Sequence, residues 1–146
     1  MSKVKVFERY EKFTTFREAI SKLDCVLSDL RNSVEITDKL FNNIYVCASE
    51  ALNNAIIHGN QLNPSKCVEL YLYVEDNAIH LDIIDEGEGF DESKLADPLL
   101  PENLNKENGR GIFIINQFCC QKNIKKTQRG FCVSMVFSLE NKDNVQ

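Results

Sequence analysis

Two sets of hydrophobic residues in the first half of the chain recur at the spacing of amphipathic helices. The sets are Ile20, Leu23, Leu27 and Leu30, and then Leu40, Phe41, Ile44, Cys47, Ala48, Ala51, Leu52, Ala55 and Ile56. The first set predicts a helix over about residues 16–32, with Thr14 and Thr15 available to cap its start. The second predicts a longer helix that begins after an N-cap at Thr37 and ends at Gly59.

From residue 68 onward, the hydrophobic positions recur every second residue instead. Apolar and polar residues alternate over residues 68–74 and again over residues 79–83, with a turn signal at Asp76 and Asn77 between them. This pattern predicts an antiparallel hairpin with one buried face. Three more strands are predicted at residues 4–13, 124–127 and 131–139, and the last two are joined by a turn at 128–130.

Between the two predicted hairpins, residues 90–108 predict a long loop and residues 111–120 predict a helix. A loop of this length inside a compact domain is usually functional and often serves as a lid. The predicted order is β, α, α, β, β, loop, α, β, β. We therefore expect an α+β fold, a two-layer α/β sandwich whose mixed, mostly antiparallel sheet carries helices on one face. The length fits a single domain over residues 1–146.

Composition excludes several classes of protein. The chain has 17 Lys and Arg against 22 Asp and Glu, so it lacks the basic footprint of direct nucleic-acid or membrane binding. No apolar run reaches the roughly 18 residues of a membrane helix, and the N-terminus does not resemble a secretory signal. We expect a cytoplasmic protein. In that compartment the six cysteines are expected to be buried small hydrophobes rather than disulfides or zinc ligands.

Four of the six glycines form two pairs beside predicted elements. Gly87 and Gly89 follow the second strand of the first hairpin, and Gly109 and Gly111 precede the predicted helix. Paired glycines at such places let the backbone approach a ligand closely, and a helix N-terminus offers amides to an anion. Each pair taken alone is also compatible with a plain turn. Of the other two glycines, Gly59 ends the second helix and Gly130 lies in an ordinary hairpin turn.

The second helix carries polar residues among its apolar ones, namely Glu50, Asn53, Asn54 and His58, with Asn60 just beyond. Glu50 and Asn54 are four residues apart and share a face, and His58 continues that row. A carboxylate and an amide on one stripe can hold Mg²⁺ and orient a nucleophile, because Mg²⁺ prefers oxygen ligands. A solvated face is the alternative, although adjacent asparagines deep in a helix cost stability. His58 is equally compatible with a favourable charge at a helix C-terminus.

Taken together, these segments resemble the nucleotide-binding motifs of the GHKL ATPases, which have the Bergerat or histidine-kinase-like fold. Residues 50–59 (EALNNAIIHG) resemble the N-box, residues 85–90 (DEGEGF) the G1 box and residues 108–112 (NGRGI) the G2 box, in the family's order. The E-x-x-x-N-A-x-x-H-G form of the N-box on a short chain is similar to the anti-sigma factor serine/threonine-protein kinase branch. The resemblance extends over about residues 7–139.

The resemblance implies a role for each motif residue in binding ATP and Mg²⁺. Asp85 is expected to accept a hydrogen bond from the adenine amino group, and Gly89 to let the base pack closely. Asn54 is expected to ligate Mg²⁺, and Glu50 to act as the catalytic base or positioner for the attacking hydroxyl or water. The rest of the implied nucleotide-binding set is Asn53, His58, Gly87, Gly109, Arg110 and Gly111. The last three are expected to cover the phosphates, with residues 91–108 as the lid.

The resemblance also implies a regulatory function. Such a kinase transfers the ATP γ-phosphate to a Ser or Thr of an anti-anti-sigma (STAS-type) protein, and as a homodimer it sequesters a sigma factor. Two alternatives stay open: a nucleotide-dependent binding switch without kinase activity, and a detached histidine-kinase catalytic module. Glu107 favours the switch, because it stands where family members often carry a basic residue that faces the γ-phosphate.

Two further departures from the family's pattern lie near the end of the chain. Cys119 and Cys120 stand where many members carry a Met-Asp pair. Phe131 and Cys132 occupy the region in which a threonine often supports the adenine through water, and Thr127 is the nearest candidate for that role.

Overall fold

The computed structural model describes residues 5–87 and 121–139, which form one antiparallel sheet and the helices packed against it. The elements are β1 (Phe7–Phe13), α1 (Phe16–Ser33), α2 (Asp38–Asn53), a π-helical turn (Asn54–Gly59), β2 (Val68–Glu75), β3 (Ala78–Asp85), β4 (Gln121–Lys126) and β5 (Phe131–Ser138). The predicted loop at residues 90–108 and the predicted helix at residues 111–120 lie outside the described residues.

Threonine side chains begin both helices, as their sequence predicts. The Thr15 hydroxyl accepts a hydrogen bond from the Glu18 amide at 3.2 Å, and the Thr37 hydroxyl accepts one from the Leu40 amide at 3.0 Å. The Glu18 carboxylate in turn accepts a bond from the Thr14 amide at 3.3 Å. These bonds satisfy amides that have no partner inside the helix, which is why the two helices start where they do.

The sheet has the strand order β1-β2-β3-β5-β4, and every pair among the described strands is antiparallel. The β2–β3 hairpin turns at Asp76 and Asn77, whose φ angles of 54° and 59° are positive. Turns of this kind match the twist of the flanking strands, and Asp and Asn tolerate them. The expected α+β fold is confirmed, and in the described part of the chain the sheet is wholly antiparallel.

One strand begins earlier than predicted. β4 starts at Gln121 rather than at residue 124, and Gln121 lies opposite Val136 of β5. The first residues of β4 are polar and show no alternation of apolar and polar positions, so their sequence does not indicate a strand. Pairing with the central part of β5 decides their conformation instead.

The core lies between the helices and one face of the sheet. Helix α1 contacts β1, and α2 contacts both β3 and β5. The largest fully buried side chains are Phe137, Leu23, Leu27, Leu30, Ile44, Leu52, Leu70, Leu72, Ile79, Leu81 and Ile83. The apolar stripe of α1 is therefore core, although its first member, Ile20, is only half-buried.

The opposite face of the sheet carries half-buried polar and aromatic residues, including Tyr73 and His80, whose rings stack with centroids 4.6 Å apart. In the ranges that the structure covers, no helix combines the length and apolar character that crossing a membrane requires.

The Thr37 cap supports the helix that carries the candidate site. We expect Thr37→Ala to lower the free energy of unfolding by about 1 kcal/mol, because the Leu40 amide loses its acceptor. Thr37→Ser keeps the hydroxyl and is expected to stay within a few tenths of a kcal/mol of the wild type. Urea denaturation of the three proteins measures the difference. Equal stability of the alanine and serine variants would contradict the capping role.

Candidate functional site

The second helix changes its hydrogen-bonding pattern at Asn54. The Asn54 amide donates to the carbonyls of Glu50 and Ala51, as in an ordinary helix. Farther on, the Asn60 amide donates to the Ala55 carbonyl, five residues back, at 2.8 Å. The last turn, Asn54–Gly59, is therefore π-helical. Single π-helical turns within an α-helix occur frequently at functional sites.

The wider turn changes which side chains share a face. Asn54 is buried, Glu50 and Asn53 are half-buried, and His58 is exposed. The expected row of Glu50, Asn54 and His58 therefore does not continue to His58. The physical reason is the π-helical turn, which takes more residues per turn than the α-helical spacing assumes. Gly59, five residues after Asn54, is the residue that this turn places against the sheet.

Asp85 ends β3 and is one of three buried polar or charged residues in the described part of the chain, with 5% of its surface exposed. Its Oδ1 atom accepts hydrogen bonds from the amides of Gly87 at 2.9 Å and Phe131 at 3.3 Å. Burial raises the pKa of this carboxyl, and the two amide hydrogen bonds oppose that effect. Among the described residues both hydrogen bonds go to Oδ1, so Oδ2 remains as an acceptor for a ligand.

Three glycines provide the space around Asp85. A Cβ atom on Gly59 would lie 2.4 Å from Asp85 Oδ2, and one on Gly130 would lie 2.0 Å from the Asp85 carbonyl oxygen. A Cβ atom on Gly87 would lie 1.6 Å from the Gly59 carbonyl oxygen. Each position therefore excludes a larger residue for a packing reason. Gly130, which the sequence placed in an ordinary hairpin turn, belongs to the surroundings of Asp85.

Side-chain hydrogen bonds connect the chain segments on either side of Asp85. Asn60 is buried; its Oδ1 accepts from the Glu86 amide at 2.8 Å, and its Nδ2 donates to the Cys67 carbonyl at 3.0 Å. The Glu86 carboxylate accepts from the Cys67 amide at 2.7 Å and from the Cys67 thiol at 2.8 Å. Sequence reasoning gave Asn60 and Cys67 no role here, because these partners are distant along the chain.

An open cavity of about 490 Å³ lies next to the two residues that follow Asp85. Glu86 and Gly87 line one side, and residues 126–130 of the β4–β5 turn line the other. Thr127 closes this turn, because its hydroxyl accepts from the Gly130 amide at 2.9 Å and its own amide donates to the Gly130 carbonyl at 2.8 Å.

The described residues contain no cluster of three or more His, Cys, Asp or Glu side chains that could hold a metal ion by themselves. The buried Asn54 amide and the Glu50 carboxylate one turn earlier are oxygen donors. Such a pair fits an ion like Mg²⁺, which keeps waters and takes further ligands from a bound phosphate group.

Several expected site residues lie outside the described ranges: Gly89, Gly109, Arg110 and Gly111, together with Glu107, Cys119, Cys120 and the expected lid at residues 91–108. Of the four described cysteines, Cys47 and Cys132 are buried as expected and Cys67 is half-buried. Cys25 is exposed, which corrects the expectation for that residue. None of the four forms a disulfide within the described part of the chain.

Comparisons with known proteins agree on one family for this chain. The family model described as "Histidine kinase-like ATPase domain" matches residues 14–137. The Anti-sigma F factor of Anoxybacillus flavithermus is 34% identical over 96 residues, which cover 64% of this chain and 66% of that protein. The Anti-sigma F factor of Geobacillus stearothermophilus is 37% identical over 84 residues, covering 56% of this chain and 57% of that protein.

Solved structures share the fold at low sequence identity. The histidine kinase domain from the Erythrobacter litoralis EL346 blue-light activated histidine kinase superposes with a TM-score of 0.57 and 18% identity, covering 83% of this chain and 61% of that one. A longer structure of the same kinase gives a TM-score of 0.61 at 17% identity, covering 87% of this chain and 43% of that one. The chain therefore spans less than two thirds of each of these relatives and structures.

The buried charge of Asp85 predicts a characteristic dependence of stability on pH. Because burial raises the pKa of Asp85 in the folded protein, its contribution to stability is complete at acidic pH and is lost as the pH rises through that raised pKa. Asparagine keeps the shape and an acceptor for both amides but carries no charge. We expect Asp85→Asn to be more stable than the wild type at neutral pH and the difference to shrink as the pH is lowered. Urea denaturation at several pH values measures the difference. A less stable variant at neutral pH would contradict this account.

Proposed function

The chain belongs to the histidine kinase-like ATPase domain family, and on this premise we propose that it is an ATP-binding anti-sigma regulatory factor. The observation that carries the nucleotide-binding part is the buried Asp85 carboxylate, which has one oxygen held by two amides and the other lying against Gly59. The relatives named Anti-sigma F factor support the regulatory part.

The adenine end of the proposed site is the part that the structure describes best. Asp85 Oδ2 would accept a hydrogen bond from the adenine amino group, since Oδ1 is held by the Gly87 and Phe131 amides. A charged acceptor in a buried position makes such a bond strong and directional. Gly59, Gly87 and, as the resemblance implies, Gly89 would let the base approach closely.

The phosphate end combines residues of the N-box with residues of the G2 box. Asn54 would hold Mg²⁺ together with the phosphate oxygens, with Asn53 beside it at the helix end. When bound, Mg²⁺ neutralises charge on the phosphates. Gly109, Arg110 and Gly111 would cover the phosphates through backbone amides. Glu50, one turn before Asn54, would accept the proton of the attacking hydroxyl.

We further propose the reaction and partners that the family resemblance implies. The γ-phosphate would be transferred to a Ser or Thr of an anti-anti-sigma (STAS-type) protein, by positioning and charge stabilisation more than by covalent chemistry. A homodimer of single-domain chains, each spanning residues 1–146, would sequester a sigma factor in the cytoplasm, without direct contact with nucleic acid or membrane.

Two other functions remain as outcomes of the same experiments. A binding switch would take up ATP and change its affinity for a sigma factor without transferring phosphate, and Glu107 is the sequence feature that favours it. A detached histidine-kinase module would transfer phosphate to a histidine, which gives an acid-labile product. The phosphate ester of a Ser or Thr survives the same acid treatment.

The adenine role of Asp85 predicts the effect of removing its charge on ATP binding. We expect Asp85→Asn to weaken ATP binding by about ten- to a hundredfold, because a hydrogen bond to a charged acceptor is lost. Isothermal titration calorimetry with Mg²⁺ present measures the affinity. Asp82→Asn, on the other face of the same strand, is the matched control and should bind ATP like the wild type. Unchanged affinity of the Asp85 variant would remove the adenine assignment.

The proposed role of Glu50 predicts a separation of binding from transfer. We expect Glu50→Gln to lower the rate of phosphate transfer by about a hundredfold or more while ATP affinity stays within about twofold, because the amide cannot take a proton. Labelled ATP and a STAS-type acceptor protein provide the assay. Glu75→Gln, on the opposite face of the sheet, controls for the loss of a charge. Loss of binding together with transfer would contradict the division of roles.

A further inference from the structure

Asn60 lies outside the motifs that identify the proposed nucleotide site, yet it connects two of them. It directly follows Gly59, the last residue of the N-box, and its partner Glu86 directly follows Asp85. The bond from the Glu86 amide to Asn60 Oδ1 is 2.8 Å long. A single side chain thus joins the end of the helix to the end of β3, one residue away from the point where Gly59 meets Asp85.

Both polar atoms of the Asn60 side chain form hydrogen bonds with the protein. Its Nδ2 donates to the Cys67 carbonyl at 3.0 Å. Cys67 is also bound to Glu86, whose carboxylate accepts hydrogen bonds from the Cys67 amide and thiol. Asn60, Cys67 and Glu86 therefore close a ring of four hydrogen bonds. With only 3% of its surface exposed, Asn60 acts on its neighbours and not on a ligand directly.

This ring controls the distance between Gly59 and Asp85. Asp85 Oδ2 lies where a Cβ atom on Gly59 would be only 2.4 Å away, so the helix end and the carboxylate are in close contact. Because the carboxylate is planar, the two amides that hold Oδ1 also fix the direction of Oδ2. The space beside Oδ2, in which a ligand's donor must fit, then depends on how closely the helix end approaches β3. A hydrogen bond weakens steeply when its angle is poor, so a small displacement here matters.

We propose that Asn60 is a positioning residue that sets the selectivity of this site for adenine by holding Asp85 Oδ2 against Gly59. The proposal rests on the proposed function, because it assigns Oδ2 to the adenine amino group. It goes beyond that function by naming a residue outside the nucleotide-binding motifs and by predicting base selectivity rather than overall affinity.

Comparison of two nucleotides separates positioning from general structural support. Inosine triphosphate carries the same ribose and phosphates as ATP but has a carbonyl in place of the amino group, so the 6-position of its base cannot donate to Asp85 and presents an oxygen to the carboxylate instead. The ratio of the two dissociation constants therefore reports the contact between the edge of the base and Asp85. A variant that merely loosens the fold would weaken the binding of both nucleotides equally and leave the ratio of their dissociation constants unchanged.

The experiment measures both dissociation constants by calorimetry, with Mg²⁺, for the wild type, Asn60→Ala and Asn63→Ala. Asn63 lies in the same segment and its side chain accepts from the Ser65 amide at 2.9 Å, with no bond to residues 85–87, so it is the matched control. We expect the preference for ATP to fall by about threefold to tenfold in Asn60→Ala and to stay at the wild-type value in Asn63→Ala.

Each outcome distinguishes this inference from the function on which it rests. A wild type that binds neither nucleotide overturns the proposed function, and a wild type without preference overturns the role of Asp85. If the wild type prefers ATP and Asn60→Ala shows the same preference, only the positioning role is overturned. If thermal unfolding shows that Asn60→Ala does not fold, Asn60→Leu replaces it. Leucine matches the shape of asparagine without an acceptor, and the same loss of preference is expected.

Discussion

The position of one buried carboxylate, that of Asp85, governs the described part of the candidate site. The amides of Gly87 and Phe131 hold one of its oxygens, and Gly59 lies against the other. Asp85 and Phe131 are paired across β3 and β5, so the register of the sheet decides this contact. Three segments that are distant along the chain converge on a single side chain, and a shift of any one of them would change the surroundings of Oδ2.

This arrangement carries a cost in stability that points toward function. Burying a carboxylate is unfavourable, and the raised pKa of Asp85 expresses that cost. The end of the second helix shows a similar departure from stable structure. Two adjacent asparagines, which are poor helix formers, and a π-helical turn stand there in place of regular α-helix. Departures of this kind are expected where a protein gives up stability to hold a ligand.

Much of the fold was predictable because the signals for it are local. Threonine at a helix start, apolar residues three or four positions apart and an Asp-Asn turn between alternating segments each act over a few residues. The early start of β4 was not predictable for the opposite reason. Its polar residues form a strand only because β5 supplies hydrogen-bonding partners along one edge.

The amino-acid sequence by itself determined the order of elements, the α+β class and the presence of Glu50, Asn54 and Asp85 in segments that resemble nucleotide-binding motifs. The tertiary structure decided which residues surround Asp85, since Gly59, Gly130 and Asn60 reach it or its neighbours only through contacts across the fold. It also decided that His58 faces solvent, because the turn that holds it is π-helical. Local patterns encode which element forms; they do not encode helix pitch at a junction or the approach of segments far apart in sequence.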